Sequence, residues 1–182
     1  FLRFNDNKGR TGSYFLFAGL CAGFVETCLY SRISRLMPGG AGPGAMMVGI
    51  AFFIGLALPL LLSGSKKHGA SRLLAASLIV LILLPWLAKG LHEWRLSLAL
   101  TVVLSAAGCV PWAAGLSRMR PFERPRAFAL WFFGSLAGLY IFNLLIVSFG
   151  YFAASLIAGL SFFILTGFFT VSIRKLPADA GS

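Results

Sequence analysis

The sequence is short of negative charge. Of its 182 residues only five are acidic, against sixteen Lys and Arg. The five are Asp6, Glu26, Glu93, Glu123 and Asp179, and the first and last lie near the chain ends. A membrane enzyme needs several polar groups converging at one depth, and this supply is thin. No Ser/His/Asp set, HExxH pattern or Gly-rich phosphate loop is present. The chain is therefore expected not to be an enzyme and to hold no catalytic residue. Cysteine is scarce too: Cys21, Cys28 and Cys109 all fall inside apolar runs, with no CxxC and no Cys/His cluster. That excludes a disulfide framework and a metal site, leaves three small packing residues, and implies no cofactor. A basic, polar domain is also missing. The net charge of +11 therefore does not point to direct nucleic-acid binding by this segment.

What the chain has in abundance is apolar surface. Its hydrophobic fraction is 58% and its charged fraction 12%, too greasy to cover a soluble fold. The class is integral membrane, with the lipid bilayer as solvent and first partner. Crossing the hydrocarbon core takes about 20 apolar residues per helix. Six segments qualify: 14–30, 45–62, 73–87, 96–116, 127–147 and 149–173. A single helix over 127–173 would be about 70 Å long at 1.5 Å per residue, so a tight turn near Gly150 is required. The expected fold is all-α and polytopic, with six transmembrane helices over 14–173 between short tails at 1–13 and 174–182. The Gly/Pro-rich "MPGGAGPGA" joins the first two spans. The chain opens on Phe1 rather than Met, which suggests a fragment. No signal peptide is visible, because the first apolar run is too long and lacks a small-residue cleavage site.

The basic residues are distributed unequally. Under the six-span reading, twelve Lys and Arg fall on one side and four (Arg32, Arg35, Lys89, Arg95) on the other. Four of the twelve crowd into "SRMRPFERPR" between the fourth and fifth spans. The positive-inside rule then predicts both termini in the cytoplasm, in a multi-pass protein of a bacterial-type inner (plasma) membrane.

Glu26 is the only acidic residue well inside a predicted span. An ionisable group there costs about 2.5–3.5 kcal/mol at mid-bilayer unless paired, hydrated or neutral. It is a candidate for coupling or substrate binding. The plainer alternative is an interfacial carboxylate paired with Arg32 or bonded to Tyr30 one turn on. Tyr30 shares its face and is a second candidate. Asn143, with Tyr140 three residues before it, gives two more; such an amide more often bonds across helices. His92 and Glu93 form a polar loop with Lys89 and Arg95, flanked by Trp86 and Trp94 as interfacial anchors. Pro59, Pro85 and Pro111 predict kinks. Gly19-x-x-x-Gly23 and Gly134-x-x-x-Gly138 predict close helix approach.

The layout of six helices with basic second and fourth loops resembles half of a major facilitator superfamily transporter. In "LLSGSKKHGASRLL", Lys67 and Gly69 match the family's loop after the second helix. Lys66 stands where the family has an acidic residue, and Ala70 and Ser71 replace basic ones. "RPFERPRAFALWFFGSLAGLY" is similar to the family's approach to its fifth helix, with Glu123, Arg124 and Arg126 ahead of a glycine-containing span. The antiporters' glycine-proline signature is absent. "ALWFFGSLAGLYIFNLLIVSFGYFAASLIAGLSFFIL" also resembles the facilitator-like membrane region of LuxR-type regulators. The first resemblance implies a carrier of a small solute, with its site near midplane between two halves and a second six-helix half or a homodimer as partner. The second implies a non-transporting sensor that binds a small-molecule ligand and signals to a cytoplasmic output.

Overall fold

A computed structural model of the chain describes residues 6–36, 41–61, 69–90, 94–117, 119 and 121–172. His92, Glu93, Arg118, Arg120, the 62–68 loop, the 174–182 tail and parts of the N-terminal tail and Gly/Pro linker lie outside them. Among the described residues the fold is all-helical. Five α-helices follow in order: α1 (Asp6–Leu36), α2 (Ala41–Leu61), α3 (Gly69–Gly90), α4 (Trp94–Leu116) and α5 (Arg124–Ser172), the last preceded by a 3-10 turn at Pro121–Glu123. In hydrocarbon no water can satisfy backbone N–H and C=O groups, so an apolar chain closes its hydrogen bonds inside helices.

The helices run past the expected spans at most ends, furthest in α1. Helix α1 runs from Asp6 to Leu36 rather than over 14–30, so residues 6–13 of the expected N-terminal tail are helical. Helix α2 starts at Ala41, inside the Gly/Pro-rich linker. Pro43 then occupies the first turn, where its missing N–H has no partner to lose.

The α5 segment is two helices that meet at Gly150, where the backbone leaves the helical region with φ 80° and ψ 164°. Its contacts with α1 show that the chain reverses there. Going up α1, Gly12 meets Leu130, Gly19 meets Trp131 and Ser135, and Gly23 meets Ser135 and Leu139. The Phe24 and Phe142 rings follow at 5.6 Å. After Gly150 the order inverts: Cys28 bonds Tyr151, Cys21 Sγ lies 3.2 Å from Ser161 Oγ, and Tyr14 stacks on Phe168. Helix α5 is thus a hairpin, with a first arm (124–149) parallel to α1 and a second arm (151–172) antiparallel to it.

The same logic orients the rest. Helix α4 runs against α1, since Gly108 faces Val25 while Gly115 faces Tyr14 and Phe15. Helix α3 runs against the second arm: Ser77 donates to the Phe162 carbonyl and Leu81 packs on Gly159. Helix α1 touches every other helix and carries the largest share of the buried core, including Tyr14, Phe15, Leu29 and Ile33.

Three segments are long and apolar enough to cross a membrane: Thr11–Arg35, Ala99–Leu116 and Pro121–Phe168, the last being the folded hairpin. The described apolar stretches of α2 and α3, Gly42–Ile54 and Leu74–Pro85, are shorter.

Candidate functional site

Helix α1 presents residues 15, 19, 22 and 26 along one stripe, the i, i+4, i+7, i+11 spacing of a single helix face. Phe15 on this stripe touches α4 at Gly115, and Gly19 touches the first arm at Trp131. The stripe therefore looks into the seam between α4 and the first arm. These two helices make few close contacts with each other. Aromatic rings fill the gap instead. Trp112 of α4 and Trp131 of the first arm lie 5.6 Å apart between ring centroids. Phe52 of α2 stacks on Trp131 at 6.1 Å, and Phe128 stands 6.0 Å from the same ring.

Glu26 is the half-buried carboxylate at the upper end of this stripe. It neither pairs with Arg32 nor bonds to Tyr30: among the described residues it has no hydrogen bond or ion pair. It lies within electrostatic reach of Cys109 on α4. Cys109 belongs to a second stripe, with Ser105 and Trp112, at i, i+4, i+7 spacing.

Two residues of that second stripe, and one on the first arm, hold polar groups without partners. Hydroxyls inside these helices usually bond to a carbonyl of the preceding turn. Thr27 does so to Gly23 at 2.7 Å, Thr101 to Ser97 at 2.7 Å and Ser161 to Ala158 at 2.6 Å. Ser105 is fully buried, yet its Oγ has no hydrogen bond. The Nε1 atoms of Trp112 and Trp131 are likewise buried and unsatisfied, in residues only 6% and 5% exposed. A buried donor left unpaired costs about 1–3 kcal/mol. Trp112 and Trp131 face each other across the seam, while Ser105 lies two turns from Trp112 on α4, nearer the level of Glu26.

The other expected site residues lie elsewhere. Tyr30 is 39% exposed, one turn beyond Glu26 on the same face. Tyr140 is 68% exposed on the outside of the first arm. Asn143 is exposed beside it, and its amide donates to the Leu139 carbonyl of its own helix at 2.9 Å, not to another helix. Between them Phe142 points inward and is fully buried. The structure keeps Glu26 and Tyr30 together and places Tyr140 and Asn143 on the outer surface of the bundle. Sequence reasoning missed Ser105, Trp112 and Trp131. The available signal was two indoles deep in apolar runs, each with an N–H that needs a partner when buried.

Among the described residues no three His, Cys, Asp or Glu side chains gather to hold a metal ion. Comparison of the chain with family models, with curated proteins and with solved structures finds no match in any of the three.

Proposed function

We propose that this chain is the membrane-embedded unit of a facilitator-type carrier for a small solute. It spans the plasma membrane six times, with the ends rich in Arg and Lys on the cytoplasmic side. The observation that carries the reading is Glu26, an unpaired carboxylate inside the apolar Thr11–Arg35 segment, facing a seam with unsatisfied donors. Such a group inside a membrane marks a solute or ion pathway by default.

Six spans are supported by the reversal at Gly150 and by the antiparallel setting of α4 against α1 and of α3 against the second arm. Helices α2 and α3, of 21 and 22 residues, are long enough at 1.5 Å per residue for a core of about 30 Å. A second six-helix half or a second copy would complete the solute path.

The competing reading is a non-transporting sensor domain like the membrane region of LuxR-type regulators. The outward setting of Tyr140 and Asn143 favours it, because it thins the polar lining of a path. Proton-coupled solute uptake into cells expressing the chain separates the two. A carrier relying on Glu26 loses most uptake in Glu26→Gln. Uptake that is absent, or unchanged in that variant, removes the carrier role for Glu26.

A further inference from the structure

We infer that the outer face of the first arm pairs with the same face of a second copy of this chain, in parallel and about a two-fold axis along the bilayer normal. The pairing holds for a carrier and for a sensor alike, since it rests on membrane insertion and not on what the bundle does. Two polar residues sit where lipid would otherwise cover them. Asn143 gives one amide N–H to the Leu139 carbonyl of its own helix, and its Oδ1 has no partner among the described residues. The hydroxyl of Tyr140, a residue 68% exposed, has none either. Acyl chains offer neither donor nor acceptor, and polar side chains inside a membrane ordinarily face protein or water. Nor does Tyr140 reach back to the nearer headgroups. The arm ends at Gly150, and a helical side chain leans toward its N-terminus, here away from that end.

Ala129, Phe133, Leu136, Tyr140, Asn143 and Val147 are all exposed and share one face, four and three residues apart by turns. That alternation is the spacing at which two helices stay in contact along a left-handed crossing. At 1.5 Å per residue the face is about 27 Å long, close to the ~30 Å of the hydrocarbon core. The opposite face, with Trp131, Gly134, Gly138 and Phe142, is buried, and its two glycines pack against α1. The occupant follows from the chemistry of the open face. Copies inserted under one charge rule cross the membrane in the same direction, so their first arms are parallel. A two-fold axis then sets each residue beside its own counterpart. An amide and a hydroxyl each carry both a donor and an acceptor, so Asn143 satisfies Asn143 and Tyr140 satisfies Tyr140. A different protein would have to match both groups at the same two depths; a second copy matches them by symmetry.

The test is self-association of the full chain in lipid bilayers. Leu136→Cys and Val147→Cys, oxidised in membranes with copper phenanthroline, should each give a disulfide-linked dimer. The native cysteines are buried and should stay silent. Ile141→Cys is also exposed but lies about 120° round the helix at 3.6 residues per turn, and should not cross-link. Dissociation is then followed in liposomes by energy transfer between labelled copies at falling protein-to-lipid ratio. Asn143→Leu should weaken the dimer about tenfold, toward the upper reach of an interhelical amide bond, and Tyr140→Phe should weaken it severalfold. Both replace a polar group by an apolar one on an outward face, so the melting of the bundle itself should hold, which separates pairing from folding. Monomers at every protein-to-lipid ratio, equal cross-linking from Ile141→Cys, or a dimer unmoved by Asn143→Leu overturn the proposal. So does a cross-link from Leu136→Cys to a different protein. Pairing without solute uptake keeps this inference and ends the carrier reading; uptake by a monomer does the reverse.

Discussion

The Cα of Gly19 packs directly against the carbonyl oxygen of Trp131, leaving no room for a side chain. Gly134 has the same relationship to the Leu16 carbonyl, and Gly23 and Gly138 repeat it with Ser135 and Leu20. The two Gly-x-x-x-Gly motifs thus face each other in equal register on parallel helices. Backbone carbonyls cannot swing aside as a flexible side chain can. Gly19→Ala and Gly134→Ala should each destabilise the bundle by about 3 kcal/mol, the upper part of the range for overpacking. Thermal unfolding in detergent measures it. Gly49→Ala, where nothing lies within 4 Å, should instead be neutral or stabilise by up to about 1 kcal/mol through helix propensity. Equal effects at Gly19 and Gly49 would refute the packing.

Gly150 is free of neighbours within 4 Å, so only its backbone constrains it. Its φ of 80° with ψ of 164° lies in a region that only glycine visits readily. Gly150→Ala should cost about 1–3 kcal/mol. Asn, which tolerates the left-handed helical region, should not rescue it, because ψ is far from that region. A stable Gly150→Asn variant would contradict the observed turn.

Ser148 is exposed beside the hairpin turn, and Phe122 is exposed at the other end of the first arm. The three native cysteines are buried and should stay silent toward a membrane-impermeant maleimide. Applied to intact cells, the reagent should label Ser148→Cys and spare Phe122→Cys until the membrane is permeabilised. The opposite pattern would invert the orientation proposed from the basic residues.

The hydroxyl of Tyr14 donates to the Pro111 carbonyl at 2.6 Å, from a fully buried ring. Tyr14→Phe removes this link between α1 and α4 without changing the ring. Interhelical hydrogen bonds in membranes average about 0.6 kcal/mol and reach about 1.7. A fall in melting temperature of a few degrees is expected, and none at all would mean that the bond adds nothing.

Hydropathy alone marked the apolar runs, and the length limit of one membrane demanded a turn near Gly150, where the chain does reverse. Glycine spacing announced close packing but not which motif met which. Orientation around each helix was hidden for a physical reason. These helices are apolar on nearly every side, so they lack the polar face that fixes rotation in a soluble bundle. Lipid is as apolar as the core, and residues such as Phe133 and Val147 sit on the outside with no sequence mark to separate them from buried Phe142. Tyr140 and Asn143 are candidates by residue type, and no local pattern marks the outward face on which they sit. The partnerless Ser105, Trp112 and Trp131 depend on contacts between three helices, which no local pattern encodes.

The central position of α1 also fixes a sequence of events during synthesis. Its glycine face meets the first arm of the hairpin, more than a hundred residues later in the chain. At about 5–20 residues per second, that face waits roughly 5 to 25 s for its partner. Helix α1 must remain inserted during that interval with its closest contact surface open. The bundle therefore closes last around the helix that enters first, and a substitution at Gly19 acts on assembly as well as on the finished fold.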